Sequence, residues 1–340
     1  MSDDVSYDEA LTNHKVPYSV GGASRIRLMV RLARYAWAVL VYNLAVIAWG
    51  AYVRATGSGA GCGAHWPLCN GEVMLRAPAI ETLIEFSHRA TSGLALVSVV
   101  VLFIWARRST RAGHPVRLGA TWSLVFMLSE AALGAGLVLF QLVAHDASAA
   151  RAMAVGAHLL NTFLLLAALT LTVYWASGGA PFELPSRRPG IGRLTLGALA
   201  ILLVSVAGAI TALGDTLFPS ESLSAGLSAD LSATSHMLIR LRTIHPVLAV
   251  MAAIYLMTSA WQLADRRPSG RSIARTMTWL IGCQLAVGIA NVALLAPVWL
   301  QLTHLLLADA VWIAYVFLGA DMLASPVTLI AKASPFARPA

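Results

Sequence analysis

Charged side chains are in short supply in this sequence: they fill 12% of its 340 positions, while hydrophobic residues fill 58%. An ordinary soluble domain is roughly a quarter charged, so the shortage excludes water as the main solvent. Cysteine is scarcer still, with three residues. Cys62 and Cys69 lie close together where an oxidising compartment permits a disulfide, and Cys283 falls inside an apolar run, where packing explains it. The first 29 residues, Met1 to Met29, hold no short apolar core followed by small residues, so the first apolar run reads as a retained helix and not a cleaved leader. Nucleic-acid motifs are missing too. The net charge of +8 is therefore assigned to membrane topology and anionic lipid, with no nucleic-acid partner.

What is present is a series of apolar runs. A helix needs about 20 residues to cross roughly 30 Å of hydrocarbon, and runs of that length fall at 32–53, 83–105, 118–142, 152–175, 193–213, 242–262, 273–296 and 298–322. The predicted fold class is all-α integral membrane, with eight transmembrane helices. Lys and Arg mark the cytoplasmic side of short loops. With both termini inside, eighteen of the 24 basic residues lie on the inner side and six on the outer: Arg54, Arg76, Arg89, Arg151, Arg240 and Arg242. The expected location is the cell membrane, with contacts to the lipid bilayer.

Four helices repeat. SHRATSGLALVSVV around His88 rhymes with IHPVLAVMAAIY around His245, and AHLLNTFLLLAAL around His158 with THLLLADAVWIAY around His304. Small-residue seams lie between, LGAGLVLFQLVA at 133–144 and AVGIANVALLAP at 286–297, and GAYVRATGSG answers GAITALGDTLFPS. This order predicts two pseudo-symmetric four-helix bundles about an axis along the membrane normal. The predicted organisation is a cytoplasmic tail over 1–30, a first bundle over 31–176, a cytoplasmic linker over 177–192, a second bundle over 193–323 and a tail over 324–340.

Even-numbered spans run from outside to inside, which places His88, His158, His245 and His304 about four to seven residues past their outer ends, at a depth of roughly 6–10 Å. Histidine in hydrocarbon is costly and points to function. Imidazole binds metal as the neutral base, and a helix N-terminus favours that form. Paired histidines on facing helices suit haem iron, whereas zinc or a di-metal site would want carboxylates or thiolates at the same depth. Within the spans acidic residues are few, and Glu85, Glu130 and Asp309 are the ones to consider. Glu85 precedes His88 by three residues and shares its helix face, where a carboxylate can move protons or stabilise positive charge. Asp309 reads as a buried polar contact. Arg54, Arg89, Arg240 and Arg242 flank the outer helix ends, where guanidinium groups can pair with haem propionates. His14, His65, His114, His145 and His236 carry no ligand role.

With GAYVRATGSGAGCGAHWPLCNGE at 50–72, EFSHR at 85–89 and HLLLADAVW from His304, the chain closely resembles the haem A synthase family over all eight helices. The resemblance implies oxidation of a porphyrin methyl group of haem O to the formyl group of haem A, for assembly of terminal oxidases. It implies a haem b cofactor held by His245 and His304, substrate haem O held by His88 and His158, Glu85 as the catalytic residue, and a disulfide between Cys62 and Cys69. The expected partners are haem O, a haem O synthase, an electron donor of unknown identity, and a second copy of the chain. Two departures from many members stand out: His65 replaces the usual aspartate before WPLC, and the loop over 214–240 has no cysteine pair. An iron held by two histidines has no open position, so the sequence leaves two routes open, a ligand that swings away or oxidation at the ring periphery with water as oxygen source. A competing reading is a diheme electron-transfer cytochrome. Such carriers often place haems near both membrane faces, whereas these four histidines share one level.

Overall fold

A computed structural model describes residues 20–72, 78–182, 190–264 and 270–324. Residues 1–19 and 325–340 of the tails, 183–189 of the expected linker, and the loop segments 73–77 and 265–269 lie outside the described residues, and with them Lys15, Arg76, Arg187, Arg188, Arg266, Arg267, Lys332 and Arg338.

Eight helices among the described residues are long and apolar enough to cross a membrane. They are α1 (Val20–Ala55), α2 (Ile80–Ser109), α3 (Pro115–Leu139), α4 (Ala149–Ala176), α5 (Ile191–Leu217), then α7 (Met237–Leu241) with α8 (Ile244–Ala264) as one broken span, α9 (Gly270–Ala293) and α10 (Val298–Leu323). The short α6 (Leu223–Leu231) lies in the loop after α5. The break between α7 and α8 has a local cause. Pro246 has no N–H to return to the carbonyl of Arg242, and Arg242 N–H closes a tighter turn on Ile239 O at 3.1 Å.

Two helices stop three residues before the apolar runs do. α3 was expected to reach residue 142 and ends at Leu139, while α9 was expected to reach 296 and ends at Ala293. Gln141 (φ 59°) and Leu295 (φ 58°) turn left-handed, and the next amides close back on the helix, Leu142 N–H to Leu137 O at 2.8 Å and Ala296 N–H to Asn291 O at 2.7 Å. Such closures satisfy carbonyls that a helix end would leave orphaned. α4 ends the same way through Gly178 (φ 96°), where the sequence does announce it.

Helices α1, α2, α3 and α4 pack each against the next, and α4 returns to α1. Helices α5, α8, α9 and α10 close a second ring in the same order. The rings join where α4 meets α5 and α10, and where α1 meets α10 and α5. Trp312 Nε1–H donates to Phe163 O across this junction at 2.7 Å, and the two rings stand 5.8 Å apart. Small residues permit close approach inside the rings: a Cβ on Gly119 would sit 2.5 Å from Thr172 Oγ1. Large apolar residues at helical spacing face outward instead, such as Leu94, Val97 and Val101 on α2, or Val247, Val250, Met251 and Ile254 on α8. That inversion suits lipid. Cys283, expected in the packing, is exposed on α9.

Candidate functional site

All four intramembrane histidines stand near one end of the bundle, the end carrying loop residues 56–72. His88 is eight residues past Ile80, His158 nine past Ala149, His245 eight past Met237 and His304 six past Val298. The rise of about 1.5 Å per residue puts them roughly 9–14 Å in, a little deeper than expected because α2, α4 and α7 begin earlier than the apolar runs.

Each histidine ring rests on a glycine of the helix before it. A Cβ would lie 2.8 Å from His88 Cε1 at Gly50, 3.8 Å from His158 Cε1 at Gly134, 2.9 Å from His245 Cε1 at Gly208 and 3.1 Å from His304 Cε1 at Gly288. At Gly50 and Gly208 these spacings leave no room for a methyl group, at Gly288 the ring would have to give by a few tenths of an ångström, and at Gly134 the contact would be ordinary. At the first two, glycine is required by the ring and not by backbone conformation.

His245 and His304 face one another, with ring centroids 6.2 Å apart and planes at 86°. Two imidazoles bound to one metal at about 2 Å per nitrogen put their ring centroids roughly 6 Å apart. His245 Nδ1 is fixed by Val204 O at 3.1 Å, which leaves Nε2 for a ligand. Nδ1 of His88, His158 and His304 is buried without a hydrogen-bond partner. Among the described residues no group of three or more His, Cys, Asp or Glu side chains could hold a bare metal ion. The spacing of His245 and His304 suits a metal that brings its own equatorial ligands, as a haem does.

Around His88 the loop after α1 is tied to α2. Cys62 and Cys69 form a disulfide, as the resemblance implied. Cys62 N–H donates to Glu85 Oε2 at 2.8 Å, and Thr82 Oγ1 donates to Gly61 O at 2.7 Å. Glu85 Oε1 pairs with Arg89 one turn on, at 2.5 Å, and the side chains are 4% and 12% exposed. The same guanidinium donates to His65 O at 2.6 Å and Leu68 O at 2.7 Å. A carboxylate so buried and so paired is held in place. His65 therefore enters through its backbone alone.

Of the other arginines singled out in the sequence, Arg54 and Arg242 have partners of their own. Arg54 reaches from α1 into the second ring, donating to Ala212 O at 2.7 Å, Thr216 Oγ1 at 2.8 Å and Gln301 Oε1 at 2.9 Å. Arg242 is 9% exposed and clamps Asp215 at 3.0 Å and Asp230 at 2.8 Å. Arg240 is exposed. Asp309, expected as a polar contact, is wholly buried with neither carboxyl oxygen hydrogen-bonded.

Glu130 was named in the sequence as an acid within a span, but its contacts escaped that reading. Glu130 of α3 accepts from Thr162 Oγ1 and Asn161 Nδ2, each at 2.6 Å, and its Oε1 stands 3.7 Å from His158 Nδ1. The signal was there, since Asn161 and Thr162 follow His158 by three and four residues and share its face. In the second ring, Gln284 Nε2 lies 3.3 Å from His304 Nε2.

Residues 33–316 match the protein family described as cytochrome oxidase assembly protein. A relative from Thermus thermophilus, named protoheme IX farnesyltransferase, is 53% identical over 295 residues, 86% of this chain and 48% of that protein. A heme A synthase from Alkalihalophilus pseudofirmus is 42% identical over 110 residues, 32% of this chain and 37% of its own length. Another heme A synthase, from an Exiguobacterium species, is 33% identical over 158 residues, 46% of this chain and 50% of its own length. The chain thus spans half or less of the length of these curated relatives.

Proposed function

The chain belongs to the cytochrome oxidase assembly protein family, of which heme A synthases are relatives, and from that premise we propose that it oxidises the porphyrin methyl group of haem O to a formyl group, giving haem A. One observation carries the assignment to the first ring: Glu85, fixed by Cys62 N–H and Arg89, stands one turn from His88 under the disulfide-bonded loop. The second ring has a histidine pair but no acid at the place matching Glu85, where Arg242 stands three residues before His245.

In this reading His88 and His158 hold the iron of substrate haem O, and Gly50 and Gly134 seat their rings. His245 and His304 hold haem b, which when bound supplies one-electron transfer. Converting methyl to formyl with water as oxygen source releases four protons and four electrons. Glu85 takes up protons at the ring edge, and Arg89 keeps the carboxylate oriented between turnovers. The disulfide-bonded loop residues 56–72 shield that edge from bulk water. Arg54, Arg89, Arg240 and Arg242 line the helix ends from which propionates would emerge, with Arg240 the one that has most freedom to reach them.

The repeated glycine-seated histidines support two bundles of common ancestry, residues 31–176 for substrate and 193–323 for haem b. The basic residues support cytoplasmic termini, and with them haem sites near the extracytoplasmic face of the cell membrane. The partners are then a haem O synthase and, in place of the electron donor expected from the sequence, an acceptor for the four electrons that haem b passes on. The farnesyltransferase name of the longer Thermus relative suits this order, because farnesylation of protohaem makes the substrate.

The test is co-expression with a haem O synthase in cells that make no haem A, followed by pigment extraction. Wild type yields haem A. Glu85→Ala loses most of it, by about 100-fold or more for a lost acid–base group, and wild-type yield from that variant would sink the assignment.

A further inference from the structure

The two rings differ at one position beside their histidines. In α3 the sequence Glu130-Ala-Ala-Leu-Gly134 puts a carboxylate one turn before the glycine that seats His158. In α9, Gln284-Leu-Ala-Val-Gly288 puts a carboxamide one turn before the glycine that seats His304. The two segments bring corresponding side chains, one charged and one neutral, to corresponding rings but to different nitrogens: Glu130 Oε1 lies 3.7 Å from His158 Nδ1, while Gln284 Nε2 lies 3.3 Å from His304 Nε2 and leaves His304 Nδ1 without a partner.

The carboxylate is anchored. Thr162 Oγ1 and Asn161 Nδ2 each donate to it at 2.6 Å, and Asn161 is itself fixed by Ser129 Oγ at 2.6 Å and Phe126 O at 2.9 Å. Its Oε1 lies 3.7 Å from His158 Nδ1, a nitrogen with no hydrogen-bond partner. A turn of the imidazole that brings Nδ1 about 1 Å nearer reaches the 2.7–2.9 Å of a charge-assisted hydrogen bond. Metal-bound histidines almost always donate their other nitrogen in this way, and a carboxylate acceptor makes the ring a stronger donor to iron.

We propose that Glu130 is a positioning residue for His158: it accepts the Nδ1–H, fixes Nε2 toward the substrate iron, and makes the haem of the first ring easier to oxidise than the haem of the second. Gln284 leaves His304 without that charge. The inference rests on the reading that these histidines hold haem. It explains how two otherwise similar sites divide their work, since the haem to be oxidised must give up electrons to the haem that carries them away.

The experiment uses the full chain in nanodiscs loaded with haem B, whose two midpoint potentials are read by optical titration. His158→Ala and His304→Ala assign each potential to its ring. Glu130→Gln is expected to raise the first-ring potential by about 59 mV, the equivalent of tenfold in a one-electron equilibrium, and Glu130→Asp to restore part of the difference. The reciprocal Gln284→Glu is expected to lower the second-ring potential, and it keeps the test open if Glu130→Gln binds no haem. Unchanged potentials in both Glu130→Gln and Gln284→Glu overturn the proposal, even where wild type makes haem A. A wild type that binds haem yet makes no haem A overturns the function instead, and the potentials still report on Glu130.

Discussion

At the scale of the residue, the histidines and Glu85 were legible because each is a costly group in an apolar run. Their glycine seats were not. Gly50, Gly134, Gly208 and Gly288 look like generic small-residue seam in the sequence, and only the packing pairs each with a ring. The spacings give a graded expectation. Gly50→Ala and Gly208→Ala force their rings aside and should cost about 1–3 kcal/mol as overpacking, with loss of haem from the affected ring. Gly134→Ala makes an ordinary contact at 3.8 Å and should keep its haem. Absorbance of the purified variants, scaled to protein, separates them, and equal haem loss from Gly50→Ala and Gly134→Ala would contradict the seating role. Glu130 was visible as an acid in a span, but its role depends on Asn161 and Thr162, whose contribution needs the α3 and α4 contact to be seen.

At the scale of the element, all eight spans were legible from hydropathy alone, because length and apolarity are what a bilayer selects. Their ends were less so. Nothing in Gln141 or Leu295 announces a left-handed turn, since glycine is the usual sign, and both helices stop early for that reason. The start of α3 rests on a titratable cap, the His114 side chain accepting Val116 N–H at 3.3 Å. Burial, and after it the charge of Arg117, holds the His114 pKa below its ordinary value. The folded cap therefore charges at lower pH than the unfolded chain. Its contribution is present above the unfolded value of about 6.5 and is lost as pH falls through the lower folded value. Amide-exchange protection at Val116 should fall between pH 7 and pH 5 in wild type, and a flat profile, or one equal to that of His114→Ala, would remove the cap from the account.

At the scale of the whole molecule, the repeat was legible while the junction between the rings was not. Arg54 was expected at a propionate, and its donors instead reach Ala212, Thr216 and Gln301 of the second ring. No single-helix pattern encodes a contact 158 to 247 residues away. Arg54→Ala should lower stability by about 1–3 kcal/mol, the range for hydrogen bonds to a charged group, and lower Tm in detergent. Arg240→Ala, at an exposed position, should leave Tm unchanged. Equal melting of all three proteins would mean that the clamp contributes nothing to holding the rings together.

The bond from Trp312 to Phe163 also sets a clock. Its partners are 149 residues apart, so at 5–20 residues per second the ribosome needs about 7–30 s after making one to make the other. Throughout that interval the face of the first ring that will receive α10 must lie against lipid or an insertion factor. Helix α10 thus adds its latch long after the first ring has been made, and a nascent chain stalled before it would present a first half without that contact to the membrane's quality control.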